Sequence, residues 1–126
     1  MALTNAGRNH IAKCLMNDST PTFFDNTNSY LGVGDSSTAF SASQTDLQAV
    51  TNKFRQPMEA TYPQRTDNAL TFKAIFATGD ANFAWEEWGI FNAFSGGVML
   101  NRVVEELGTK ASGNWGLTVT LTVTTS

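Results

Sequence analysis

One cysteine, one histidine and three prolines are all that the 126 residues contain of those types, and charged residues make up only 15%. The lone Cys14 cannot close an internal disulfide, so no covalent staple holds the fold, and a reducing cytoplasm suits it. His10 and Cys14 stand four apart, but no second His or Cys pair exists to complete a tetrahedral metal site, so packing is their expected role. The 8 Lys and Arg are scattered singly against 11 Asp and Glu, a net charge of -3, which leaves no footprint for nucleic acid or an anionic membrane. No apolar run approaches the ~18 residues of a membrane span. The N-terminus lacks a basic region followed by an apolar one, so the chain is expected to be made in the cytoplasm without processing. Charge is low beside a usual share of about 25%, and Ser, Thr and Asn are plentiful. Such a neutral, hydroxyl-rich surface suits close contact with other protein.

What the chain does have is an aromatic centre. Ala84 to Asn92 places Trp85, Trp88, Ile90 and Phe91 within one short stretch, and aromatic side chains bury ~150 to 250 Å² each. Strand alternation assigns Trp85, Glu87, Gly89 and Phe91 to one face and Glu86, Trp88, Ile90 and Asn92 to the other. Bulk on both faces predicts a central strand between two layers, with each Glu near an edge or a subunit contact.

The flanking sequence predicts a helix over 4–17, capped by Thr4 and ended by Asn17-Asp18-Ser19 and Pro21, with Gly7 as its weak point. Phe23 and Phe24 sit in turn chemistry and are expected to plug the end of the core. Tyr30 to Gly34 is a short strand whose glycines mark close backbone approach. The polar stretch from Asp35 to Ala49 is long for a loop, and loops of that length tend to be functional. It is expected to gain order on assembly. Strands are predicted over 52–60, weakened by Pro57, over 70–77 and over 98–104, with a polar loop from Glu105 to Asn114. The last strand alternates cleanly: Leu117, Val119, Leu121 and Val123 face in, while Thr118, Thr120, Thr122 and Thr124 can meet water or a neighbouring subunit. The expected architecture is one mainly β domain over 1–126, a small antiparallel β-sandwich of about six strands spanning 30–126, with one N-terminal α-helix laid on it. Neither end carries an anchoring motif, and Met1 and Ser126 are expected to be held by neighbours.

Several constellations invite a chemical reading. Gly32-Val33-Gly34 begins like a nucleotide-binding loop, but the third glycine is missing and no helix follows, so a strand end is expected. Glu86 and Glu87 are adjacent on a strand and point to opposite faces, which prevents them from acting as acid and base across one bond. One of them is expected to pair with Arg102 or Arg55. Asp25 to Asn28 lacks the glycine and terminal Glu of a calcium loop. Trp85, Trp88 and Trp115 could instead stack on a sugar, as in a carbohydrate-binding module using surface tryptophans. No catalytic set, cofactor motif or metal motif emerges, and an enzyme is not expected.

The order of Leu31-Gly32-Val33-Gly34-Asp35, Thr45-x-Leu47, a basic strand around Lys53 and Arg55, Leu70-Thr71-Phe72-Lys73-Ala74, Trp85 to Asn92, and Gly97 to Arg102 resembles a group of small bacteriophage structural proteins. It is also similar to the N-terminal, virion-attaching module of phage tail-collar fibre proteins. The resemblance covers most of the chain from Tyr30 onward. It implies a non-enzymatic virion component, synthesised in the host bacterial cytoplasm and partnered by itself and by major capsid or tail proteins as a homo-oligomer or multi-copy assembly. Fibre proteins of this kind continue into a long shaft, whereas the present sequence ends at Ser126. The expectation is therefore an accessory protein that decorates or cements the capsid, with a tail, collar or fibre-attachment protein as the alternative. The residues expected to make structural contacts are Trp85, Glu86, Glu87, Trp88, Arg55, Arg102, Thr118, Thr120 and Thr122.

Overall fold

The Thr4 hydroxyl accepts the Gly7 amide at 2.8 Å and starts helix α1 (Asn5–Met16), which ends where Asn17 turns left-handed. Gly7 is weak for a helix, yet it is where α1 touches the sheet: a Cβ there would collide with the Leu100 carbonyl. These features belong to a computed structural model that describes residues 2–125. Met1 and Ser126, expected to be held by neighbours, lie outside the described residues.

Seven strands follow: β1 (Tyr30–Gly34), β2 (Lys53–Pro57), β3 (Gln64–Thr66), β4 (Ala69–Phe76), β5 (Ala84–Phe91), β6 (Met99–Thr109) and β7 (Trp115–Thr122). They form a four-stranded sheet in the order β2-β1-β5-β6 and a three-stranded sheet in the order β3-β4-β7. All pairings are antiparallel. The inner faces meet in one core built from Leu31, Val33, Phe72, Ala74, Phe76, Trp85, Trp88, Ile90, Leu100, Leu117 and Val119. Alternation explains that core, because Leu70, Phe72, Ala74 and Phe76 on β4 stand opposite Leu121, Val119, Leu117 and Trp115 on β7. The chain is thus the mainly β sandwich with one N-terminal helix that its pattern predicts, and β5 is flanked by β1 and β6 at its centre.

The differences have local causes. β3 escapes the pattern because its three residues are all exposed and show no apolar alternation. β6 runs to Thr109 where a polar loop was expected, since its outer half pairs with β5 through Trp85↔Gly108 and Ala84↔Thr109 and needs no buried side chains of its own on one face. A register shift between Trp85 and Glu87 breaks the alternation of β5. Trp85 consequently packs edge-on to Phe76 and Trp115, with ring centroids 4.8 and 5.1 Å away, inside the core, while Glu87 faces the opposite side. The apolar row of β7 stops early: the strand ends at Thr122, and Val123 is 66% exposed. Of the aromatic pair before β1, Phe24 packs on the core and against His10, but Phe23 faces out.

Candidate functional site

Directly opposed residues share a face of a sheet, so the pairs Gly34↔Glu87, Gly32↔Gly89, Gly89↔Arg102 and Phe91↔Met99 define the outer face of the four-stranded sheet. The segment 35–52 lies on this face. Leu47 is buried there against Phe91 and Met99, and two charges are sealed beneath the segment. Glu87 and Arg102 have no exposed side-chain surface and pair through Arg102 Nε and Glu87 Oε1 at 2.7 Å. One Glu pairs with Arg102 as expected, but Glu87 is fully buried and not near an edge, while Glu86 is half-buried and makes no ion pair among the described residues.

Burying an ion pair is favourable only when the remaining donors and acceptors are also satisfied. Here they are satisfied by the loop, through its backbone and the Gln44 side chain. Glu87 Oε1 also accepts the Gln48 amide at 2.8 Å, and Oε2 accepts the amides of Ala49 at 2.9 Å and Ser36 at 3.3 Å. Arg102 donates to the Thr38 carbonyl at 2.9 Å, to Gln44 Oε1 at 3.2 Å and to the Ser36 carbonyl at 3.4 Å. A carboxylate offers about four lone-pair sites, and four donors take those of Glu87. The pair is a clamp that binds both ends of 35–49 to the sheet within one chain. The loop, expected to gain order on assembly, makes these bonds within its own chain.

A second cluster adjoins the clamp. Arg55 lies over the Phe91 ring at 3.7 Å, donates to the carbonyls of Ala93 and Gly96 at 2.8 and 3.0 Å, and pairs with Asp46 at 3.2 Å. Lys53 meets the same carboxylate at 3.1 Å. Partial burial pushes the Asp46 carboxyl up, but the hydrogen bond and charge of Lys53, the Leu47 amide and Arg55 outweigh it and hold the group below its ordinary range. Together these groups line a cleft of about 270 Å³ whose rim includes Phe94, Ser95 and Gly96.

Other residues singled out from the sequence fall elsewhere. Trp85 and Trp88 are 2% and 5% exposed, and Trp115 is half-buried against Trp85, so these tryptophans form core and not a surface sugar platform. Trp88 reaches Glu105 with its indole N–H at 2.9 Å. Thr118, Thr120 and Thr122 are exposed on the outer face of the three-stranded sheet. Among the described residues no three His, Cys, Asp or Glu side chains gather as a metal site. Sequence reasoning missed Asp46, Gln48 and Gln44, whose only signal is the length of their loop. It also missed Lys110, placed in a polar loop but buried, with Nζ donating to the Ala77 carbonyl and Asn82 Oδ1, both at 2.7 Å. Comparison with protein-family models and with curated proteins finds no match to this chain.

Proposed function

We propose that the chain is a non-enzymatic structural component of a bacteriophage virion, an accessory protein that decorates or cements the capsid in many copies. One observation carries the reading. The short motifs that resemble phage structural proteins are spread from Leu31 to Arg102, yet apart from Leu70 to Ala74 on β4 each of them sends a residue to one unit: Gly34, Leu47, Arg55, Glu87, Phe91 and Arg102 all belong to the clamp and its neighbouring cluster. Residues scattered through a sequence in that order are then parts of a single device that pins a long loop to a sheet. A pinned loop presents a shaped, weakly charged surface to a large partner, and desolvating such a surface costs less than desolvating one rich in Lys and Glu.

The test is immunogold labelling with an antibody raised against the recombinant chain, applied to gradient-purified particles from the source culture. Regular label over the particle heads is expected. Label confined to tails or collars would shift the assignment to a tail or fibre-attachment protein, and particles without label would reject a virion role.

A further inference from the structure

A two-layer sandwich that is not closed into a barrel has four sheet edges, and proteins guard such edges with charge, proline, shortness or a covering segment. Three edges here are guarded. β2 carries Lys53 and Arg55 and ends at Pro57; β3 has three residues including Arg65; β6 is covered over its first half by α1 and a bridge from Leu3 to Asn101, and bears exposed Glu105 and Glu106 on its second half. β7 has none of these devices. Trp115 to Thr122 contains no charge and no proline, pairs with β4 through eight consecutive positions without a bulge, and among the described residues has no strand on its other side.

The direction of its free backbone groups follows from one hydrogen bond. The Val123 amide donates to the Asn68 carbonyl at 2.8 Å, one step beyond the Ala69↔Thr122 pair. Alternate residues of an antiparallel strand address opposite neighbours. Leu117, Val119 and Leu121 therefore bond to β4, and Thr118, Thr120 and Thr122 turn their N–H and C=O groups to the open edge. The 3.4 Å approach of the Thr71 and Thr120 hydroxyls agrees, because side chains come closest at positions that do not exchange backbone bonds.

We propose that β7 is a self-association edge, where two copies pair β7 to β7 antiparallel about a two-fold axis and join their three-stranded sheets into one of six strands. The argument for a second copy as the occupant is that the edge is complementary to itself. Outward-facing residues must oppose outward-facing residues, so Thr meets Thr on the outer face and the Leu117, Val119, Leu121 row meets its own copy on the inner face, with no charge brought against like charge. Antiparallel pairing also carries each copy's Val123 end, apolar and 66% exposed, toward the Trp115 end of the other. The pairing goes beyond the virion reading by naming the surface through which copies meet, and it is measured on the purified chain alone, so either can fail without the other.

Sedimentation equilibrium on the wild-type chain up to millimolar concentration is expected to show reversible doubling of mass. Thr120→Pro deletes an outward N–H without touching the β4 ladder, and is expected to remain monomeric at concentrations where the wild type is mostly paired. The double variant Thr118→Glu, Thr120→Glu brings carboxylates together across the seam, and stands beside Lys73 within its own chain; it is expected to weaken association at least tenfold and to recover in high salt. It decides the matter if the proline variant fails to fold. A wild type that stays monomeric throughout, or a folded variant that associates as strongly as the wild type, would overturn the proposal.

Discussion

On the outer face of the four-stranded sheet, Glu87 and Arg102 are shut away beneath residues 35–52, whereas on the outer face of the three-stranded sheet Thr118, Thr120 and Thr122 lie open beside the half-buried Thr71 and Lys73. Both faces carry polar side chains, and the fates of these are opposite. The difference teaches that a polar strand face becomes interior when a long loop can satisfy every donor and acceptor on it. Hydroxyls are content with water and draw nothing over themselves; a carboxylate facing a guanidinium gathers amides and carbonyls once a loop comes within reach.

The comparison is broken most severely by removing one charge from the covered face. Arg102→Ala leaves Glu87 buried without its cation and is expected to lower unfolding stability by ~3–5 kcal/mol, measured by denaturant titration. In the same variant the Gln48 and Ala49 amides, which bond to Glu87, are expected to lose most of their protection against hydrogen exchange while the core of β5 keeps its own. Unchanged protection would mean that the apolar seat of Leu47, and not the ion pair, holds the loop. Next comes Gly34→Ala. Its new methyl would run into the Glu87 carboxylate, which is pinned by four hydrogen bonds and cannot swing aside. A loss of about 1–3 kcal/mol is expected, and a neutral result would show slack in the clamp.

Acid sharpens the comparison at its rim. Because the Asp46 carboxyl is held below its unfolded value of about 3.9, its ion pairs add stability that is present above that value and is lost as pH falls through the lower folded one. Carboxyl titration by NMR should place Asp46 below the ordinary aspartate value, and Lys53→Ala should move it upward. The smallest effect belongs to the open face. Thr120→Ala is expected to change stability by no more than about 0.5 kcal/mol, and a loss approaching that of Arg102→Ala would mean that the threonine face is covered in the free protein.

The sequence was legible where a period could be counted. The helix with its Thr4 cap, β4, β5 as the central strand and the inward Leu117, Val119 and Leu121 follow from spacing alone, because burial of one face imposes a repeat that the residues must obey. It misled where tertiary contacts interrupt the period. The shift after Trp85 sends that ring to the core and Glu87 to the other side, and the outer half of β6 is held by pairing and not by apolar residues.

Of the candidate site, Glu87 and Arg102 could be named in advance as residues in need of partners, since a charge beside large aromatics has few places to go. Arg55, however, turned to Asp46 and the Phe91 ring. Which loop would cover the pair, and that its amides would complete the carboxylate, depends on groups 38 to 66 positions apart in the chain. The amino-acid sequence by itself determined a mainly β sandwich with a neutral threonine-lined strand, because side-chain alternation is a local property. Only the tertiary structure decided which polar face was buried and which edge was left free, because a backbone amide bears no mark in the sequence of where its partner lies.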